Sequence, residues 1–444
     1  MIYGLVANIA DIRCITKTDG SEFMAQASQA LLNAKFETDS YTQLDSFAAR
    51  ISSATATSSD VRLFVHDDLS KIERDWRAFE LHADCTVFQT YDWLATWFKH
   101  IGARNGTAPV VVVGRDADGS ILFLLPLAIE NGVFARRLTW LGSALCDYNG
   151  PLLAANFSKR IDLVSFATVW HNVLRRLQSH PQLRYDLVCL EKMSELVGAQ
   201  PNPFFSLRVA KNPSGAYRTQ LAESWNSFYA KRSAATRRRD NTKLKRLAEH
   251  GDIQFVTASE PDDIVRTLHI LMEQKSRSFA RMGVANMFKR PGYREFYLDL
   301  AINRSSCGLA HASRLDVGST AAAANLGLTF GGSYYHLLAS YDDGKLSRFG
   351  PGVAHLHELL RYAIEHGIQS FDFTIGDERY KRDWCDAELP LYDHVKVTTW
   401  RGALAAMSLL PALRLKRWIK QTPILWSAFA KGRTLLGSLR RSRG

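Results

Sequence analysis

Between Gly331 and Trp384 the 444-residue chain gathers side chains suited to moving a proton or holding an anion. His336 lies in Tyr334–Tyr341, where strand alternation puts Tyr334, His336, Leu338 and Ser340 on one face. Histidine titrates nearest neutral pH and can take a proton directly or through water. It reads equally as a core histidine satisfied by a neighbour. Asp372 lies in the next strand, Ser370–Thr374, flanked by Phe371 and Phe373. A carboxylate in such a strand needs partners, and either catalysis or pairing with Lys381 or Arg382 supplies them. The loop Asp342–Gly352 between the two strands opens a helix. First-turn N–H groups lack intrahelical acceptors, the helix dipole is positive there, and Gly350 and Gly352 allow an anion close to the backbone. Lys345 and Arg348 flank the loop and add cations. A plain turn is the alternative for the same glycines.

These residues need elements to carry them. Val61–Val65 alternates as a strand, and Leu69–His82 and Tyr91–Ile101 carry apolar residues at helical spacing. Pro109–Val113 and Ile121–Ile129 flank a turn and form a hairpin, Leu138–Leu141 adds a strand, Ile161–Ser179 a helix and Tyr185–Leu190 a strand. A second set follows: a long helix over Ser224–His250, a strand over Asp252–Thr257, and helices over Pro261–Arg281 and Gly292–Asn303. Strands then cover Gly308–Leu315, Ala321–Phe330 and Tyr334–Tyr341, the last two joined through Gly331-Gly332. A helix over Gly352–His366 and strands over Ser370–Thr374 and His394–Thr399 complete it. The fold class expected is α/β, in two parts: 59–205 and 206–400, after a flexible extension over 1–58 and before a tail over 401–444.

The Tyr-Tyr-His strand after Gly-Gly, the Gly-Pro-Gly loop opening a helix, and Asp372-Phe-(x2)-Gly-(x3)-Tyr-Lys-(x2)-Trp384 resemble the CelD-like (cellulose-biosynthesis) acyltransferases of the GNAT superfamily, relatives of the FemAB-type double-GNAT enzymes. Arg237–Leu247 and Phe88–Leu94 are similar too, and the likeness spans roughly residues 60–400. The resemblance implies two GNAT-like mixed sheets flanked by helices, a tandem acyl-CoA N-acyltransferase fold. It implies acetyl-CoA or another acyl-CoA as co-substrate, held through Lys345, Arg348, Gly350, Gly352 and Lys381. It also implies transfer to an amine or hydroxyl acceptor in polysaccharide biosynthesis, with Tyr380 as acid to the leaving thiolate beside His336 and Asp372. A phenol of reference pKa ~10 is protonated at neutral pH and can serve a thiolate near ~8.5. Ser347 stands where the family's loop has Gln or Arg, with Arg348 one position along. FemAB-type relatives imply aminoacyl-tRNA as the alternative donor; a GNAT-like module that docks without catalysis is a third reading.

Charge speaks to location. The net charge is +12, from 56 Lys and Arg against 44 Asp and Glu. Ten of the basic residues fall in 401–444, which holds no acid, so the first 400 residues are close to neutral. A nucleic-acid-binding body is therefore not expected, tRNA aside. Lys231–His250 is a basic run that reads as a solvated face or as a phosphate contact. In the tail, Leu425, Phe429, Leu436 and Leu439 share a helical face among cations, the pattern of an interfacial helix drawn to anionic lipid or to a membrane polysaccharide synthase. Six scattered cysteines without a CxxC pair read as reduced thiols of a cytoplasmic protein. His355 and His357 do not share a helix face, so no metal site is expected. The longest apolar stretch, Ile121–Ile129, is far short of the ~20 residues that cross a bilayer, so a soluble or peripheral protein is expected.

Overall fold

The computed structural model describes residues 61–304, 308–376 and 378–407, together with 411 and 415. The expected extension over 1–58 lies outside the described residues, as does the tail beyond residue 407 apart from 411 and 415.

Twelve strands form the body of one sheet: β1 (Arg62–His66), β2 (Ala108–Arg115), β3 (Ile121–Asn131), β4 (Arg136–Trp140), β5 (Leu187–Ser194), β6 (Ala210–Gln220), β7 (Ile253–Ala258), β8 (Ala310–Val317), β9 (Thr320–Phe330), β10 (Ser333–Tyr341), β11 (Ser370–Ile375) and β12 (Ala387–Val397). Two short strands, Ala83–Asp84 and Leu152–Ala154, join at the margin to make fourteen. The helices are α1 (Glu73–Glu80), α2 (Tyr91–Trp97), α3 (Leu163–Ser179), α4 (Trp225–Ala230), α5 (Ala234–Ala248), α6 (Pro261–Arg281), α7 (Tyr293–Arg304), α8 (Pro351–Glu365) and α9 (Arg379–Trp384), besides single turns.

Local chemistry explains most boundaries. Pro261 starts α6 with Asp262 and Asp263 in its first turn, favourable to the helix dipole. Gly331 and Gly332, at φ 54 and 71, make the tight turn between β9 and β10. The single helix expected over Ser224–His250 is broken after Lys231. Ser233 caps α5 by accepting from Thr236 N, and Arg232 turns inward to donate to Trp384 O and Asp386. Strand β6 was not expected, because Asn212-Pro213-Ser214-Gly215 reads as a turn. That segment is a bulge in which Asn212 Oδ1 accepts from Ser214 N and the amide donates to Asp393, while pairing resumes on either side. The last strand starts earlier than expected, at Ala387 rather than His394.

The strand order is β1-β2-β3-β4-β5-β12-β6-β11-β10-β9-β8-β7. It is a palindrome of two six-strand halves, and β6 and β12 have changed places. Each half has one parallel pair, β4/β5 and β10/β11, with its other pairings antiparallel. The mixed sheets expected of the two halves are thus present, joined edge to edge by the exchanged strands. One core spans the join: Trp93 packs edge-on against Phe296 at 5.0 Å, and Phe88 against Tyr335 at 5.8 Å.

Candidate active site

Strands β10 and β11 pair only at Ser333–Tyr335 with Ser370–Asp372 and then diverge. On the other side of β10 the register slips, so that His336 and Leu337 face Gly327 alone. Such a bulge removes backbone groups from the ladder and re-aims side chains beside the opening. The end of β11 is bent as well, since Thr374 holds φ 59. Its counterpart in the first half is Lys192 of β5, at φ 60; these are the two non-glycine residues at positive φ among the described residues. Such a backbone costs roughly 1–3 kcal/mol and persists where its surroundings over-determine it.

Asp372 is wholly buried, and its carboxylate is saturated. Arg218 of β6 donates from Nε (3.1 Å) and Nη2 (3.0 Å), Tyr148 Oη donates at 2.7 Å, and Thr374 N donates at 2.7 Å. The sequence offered Lys381 or Arg382 as its partner; the ion pair goes to Arg218 because the exchange of β6 brings that strand beside β11. Asp372 is therefore a tie between the halves. Lys381 Nζ bonds Ile375 O at 3.0 Å and lies 3.0 Å from the Glu378 carboxylate.

His336 is buried against Phe371 and Phe373. The Asn325 amide, oriented so that its oxygen accepts from Leu326 N and Gly327 N, donates to His336 Nε2 at 3.1 Å. Burial holds this imidazole neutral with a pKa of about 3, and the nearby Lys381 and Lys275 add to the shift. With Nε2 accepting, the ring proton sits on Nδ1. Tyr380 is half-buried with its ring toward Phe373, and burial raises its phenol well above the ordinary range, with Glu378 and Cys385 adding to the rise.

The loop after β10 opens α8. Gly350 takes φ 70 as the residue before α8, followed by Pro351 at the first helical position. A Cβ at Gly350 would lie 3.0 Å from Lys243 Cδ, so the α5 lysine lies over the glycine with its ammonium at the helix start. Lys345 and Arg348 are exposed at the loop rim, and Arg348 covers the Phe349 ring at 4.8 Å. The basic run thus divides: Arg232 and Arg239 are spent on Asp386 and on Asp240 and Asp383, whereas Lys243 serves the loop.

A third contributor comes from the first half and has no local sequence signal. The segment 143–149 is held by Lys192, whose Nζ donates to Ser143 O at 2.6 Å and to Cys146 O. Asn149 and Gln89 add bonds at 2.9 Å, and Tyr148 reaches Asp372. This clamp presents Asp147 to the second half, toward the Thr374 hydroxyl. Burial raises its carboxyl above the ordinary range, opposed by Lys192, that hydroxyl and Lys381. Lys275 of α6 donates to Ala339 O at 3.0 Å, and burial lowers its pKa against the pull of Glu378 and Asp147. Asp147, Lys275, Glu378 and Lys381 make a mixed-charge cluster where β10 and β11 part.

His355 and His357 diverge, to Ser313 Oγ (3.1 Å) and toward Asp240 (3.6 Å). Among the described residues no three His, Cys, Asp or Glu side chains gather as metal ligands would.

Residues 234–382 match the family of acetyltransferase (GNAT) domains. No curated protein sequence matches the chain. Among solved structures the chain is similar to FemX, at 11% identity and a TM-score of 0.52, over 74% of this chain and 96% of that one. It is also similar to a conserved protein of unknown function from Bacteroides thetaiotaomicron (13%, TM-score 0.49, 76% and 100%). A tandem GNAT protein from the clavulanic acid biosynthesis pathway is a third (12%, 0.43, 77% and 100%). The matched domain lies in the second half, and the first half repeats its strand order. The fold is a tandem GNAT fold, and the second half carries the acyltransferase domain.

Proposed function

We propose that the protein is an acyl-CoA-dependent acyltransferase that acylates an amine or hydroxyl of a glycan acceptor, in the polysaccharide setting that the CelD-like resemblance implies. The observation that carries this reading is the coincidence of the GNAT match with a glycine-opened helix start under Lys243, beside the splayed β10/β11 pair. The helix start and Lys243 hold the pyrophosphate, with Lys345 and Arg348 at the rim. The thioester supplies an activated carbonyl, whose C–S bond breaks as the C–N or C–O bond forms. Backbone at the His336/Leu337 bulge polarises that carbonyl. Asp147 takes the proton of the acceptor, a role His336 fills poorly because its accepting nitrogen is already engaged. Tyr380, with its raised phenol, stabilises the departing thiolate by donating a hydrogen bond rather than by surrendering its proton.

Isothermal calorimetry of the full chain with acetyl-CoA tests the reading. Micromolar binding that weakens in Lys243→Glu is expected. A folded protein that evolves no heat with acetyl-CoA or CoA, yet retains aminoacyl-tRNA on a filter, would instead assign the donor site to a charged tRNA.

A further inference from the structure

Two exposed apolar features meet at one carboxylate just before β5. The first is the tip between β3 and β4, where Val133 is 89% and Phe134 68% exposed. The second is a helical stretch over 400–407, capped by Thr399, which accepts from Gly402 N. Its Gly402 and Ala406 are buried, and a Cβ at Gly402 would strike Asp186 O. The opposite face carries Trp400 (71% exposed), Leu404 (55%) and Met407 (73%), spaced by four and three residues as one stripe. Asp186 joins the two. It accepts from Arg136 N at 2.9 Å and from Thr399 Oγ1 at 2.6 Å, and Thr398 N donates to its carbonyl. Phe134 and Trp400 therefore each lie within two residues of a bond to the same side chain.

Exposed aromatic and aliphatic side chains at such density mark a contact surface rather than the ordinary scatter of surface hydrophobes. The charges around them select the partner. Arg184, Lys396 and Arg401 are exposed, and Arg136 is half-buried. Asp186 is consumed by the junction, and Glu130 is paired with Arg137. Residues 408–444 then add nine Lys and Arg and no acid. Apolar side chains protruding from a cation-rich rim suit the interface of an anionic bilayer, where rings enter the headgroup level and Lys or Arg meet lipid phosphate.

We propose that Val133, Phe134, Trp400, Leu404 and Met407 form a membrane-docking face for anionic phospholipid. Among the described residues no helix is long and apolar enough to cross a membrane. This inference stands whether the donor is acyl-CoA or aminoacyl-tRNA.

Co-sedimentation of the full chain with phosphatidylcholine vesicles, and with phosphatidylcholine–phosphatidylglycerol vesicles at about a 2:1 ratio, tests it. Binding to the anionic vesicles alone is expected, falling as salt rises. The Phe134→Ser/Trp400→Ser double variant, checked for an unchanged circular-dichroism spectrum and thermal transition, is expected to bind about tenfold more weakly. Failure of the full chain to bind either vesicle would overturn the proposal and leave the face to a protein partner. Equal binding by wild type and double variant would also overturn it, since adhesion would then belong to the charge of the tail alone.

Discussion

Three residues around the β10/β11 opening divide the work by how their polar atoms are already spent. Asp372 has accepted four hydrogen bonds and His336 Nε2 one, so neither has an accepting atom at liberty for a substrate proton. Asp147 lies among cations, Lys192 foremost, and a carboxyl raised by burial is a stronger base than an exposed one. Asp147→Asn is expected to lower kcat by about 100-fold or more while the Kd for acetyl-CoA stays within about twofold. Because a base works deprotonated, wild-type activity should fall as pH drops through the raised carboxyl pKa, and the variant should lose that limb. A pH-independent ratio of wild-type to variant rates would remove Asp147 from the proton path. The buried histidines make a separate prediction. His336 and His355 have pKa values lowered to about 3 and His311 to about 4, all chiefly by burial. The unfolded chain therefore binds more protons below about pH 6.5. Their contribution to stability is complete above that value and is lost as pH falls, by about 1–2 kcal/mol per histidine between pH 6.5 and 5. Urea unfolding at the two pH values measures it, and His355→Asn should flatten the difference.

At the scale of elements, the start of α8 and the α5 lysine above it act as a unit. Gly350 sits at φ 70 with Lys243 across it, so Gly350→Ala meets both a left-handed backbone and a crowded neighbour. A stability loss of about 1 kcal/mol is expected, together with a raised KM for acyl-CoA. Lys243→Ala should raise that KM roughly fivefold and leave kcat nearly unchanged, because removing uniform binding spares the chemical step. A fall in kcat at constant KM would place Lys243 at the reacting atoms instead. This loop was readable from sequence, since glycines, a proline at the first helical position and flanking cations are local signals. The break after Lys231 was not, because it depends on Arg232 finding Trp384 O and Asp386 about 150 residues away. Strand β6 was missed for the complementary reason: its Asn-Pro-Ser-Gly segment has the composition of a turn, and only the neighbours on both sides make it a strand.

The molecule as a whole is held by exchange. Strand β6 completes the second half and β12 the first, so neither half can pair its own sheet alone. Fragments 61–205 and 206–407 expressed apart are expected to expose unpaired strand edges and aggregate. The intact chain should unfold in one calorimetric transition, and two resolved peaks would show that the halves are independent. The acyltransferase domain also borrows from the first half, through Asp147 and through Tyr148 on Asp372.

The sequence by itself determined the alternation of helices and strands, the glycine-opened helix with its cations, and the location of the positive charge. Each rests on periodicity, backbone conformation or composition within a few tens of residues. Tertiary structure alone decided that Arg218 rather than Lys381 neutralises Asp372. It alone decided that His336 is bound and neutral, that Asp147 faces the second half, and that Phe134 and Trp400 share a junction. Those outcomes depend on which strands lie side by side, and the pairing of β6 with β11 and of β12 with β5 joins residues 150 or more positions apart in the chain.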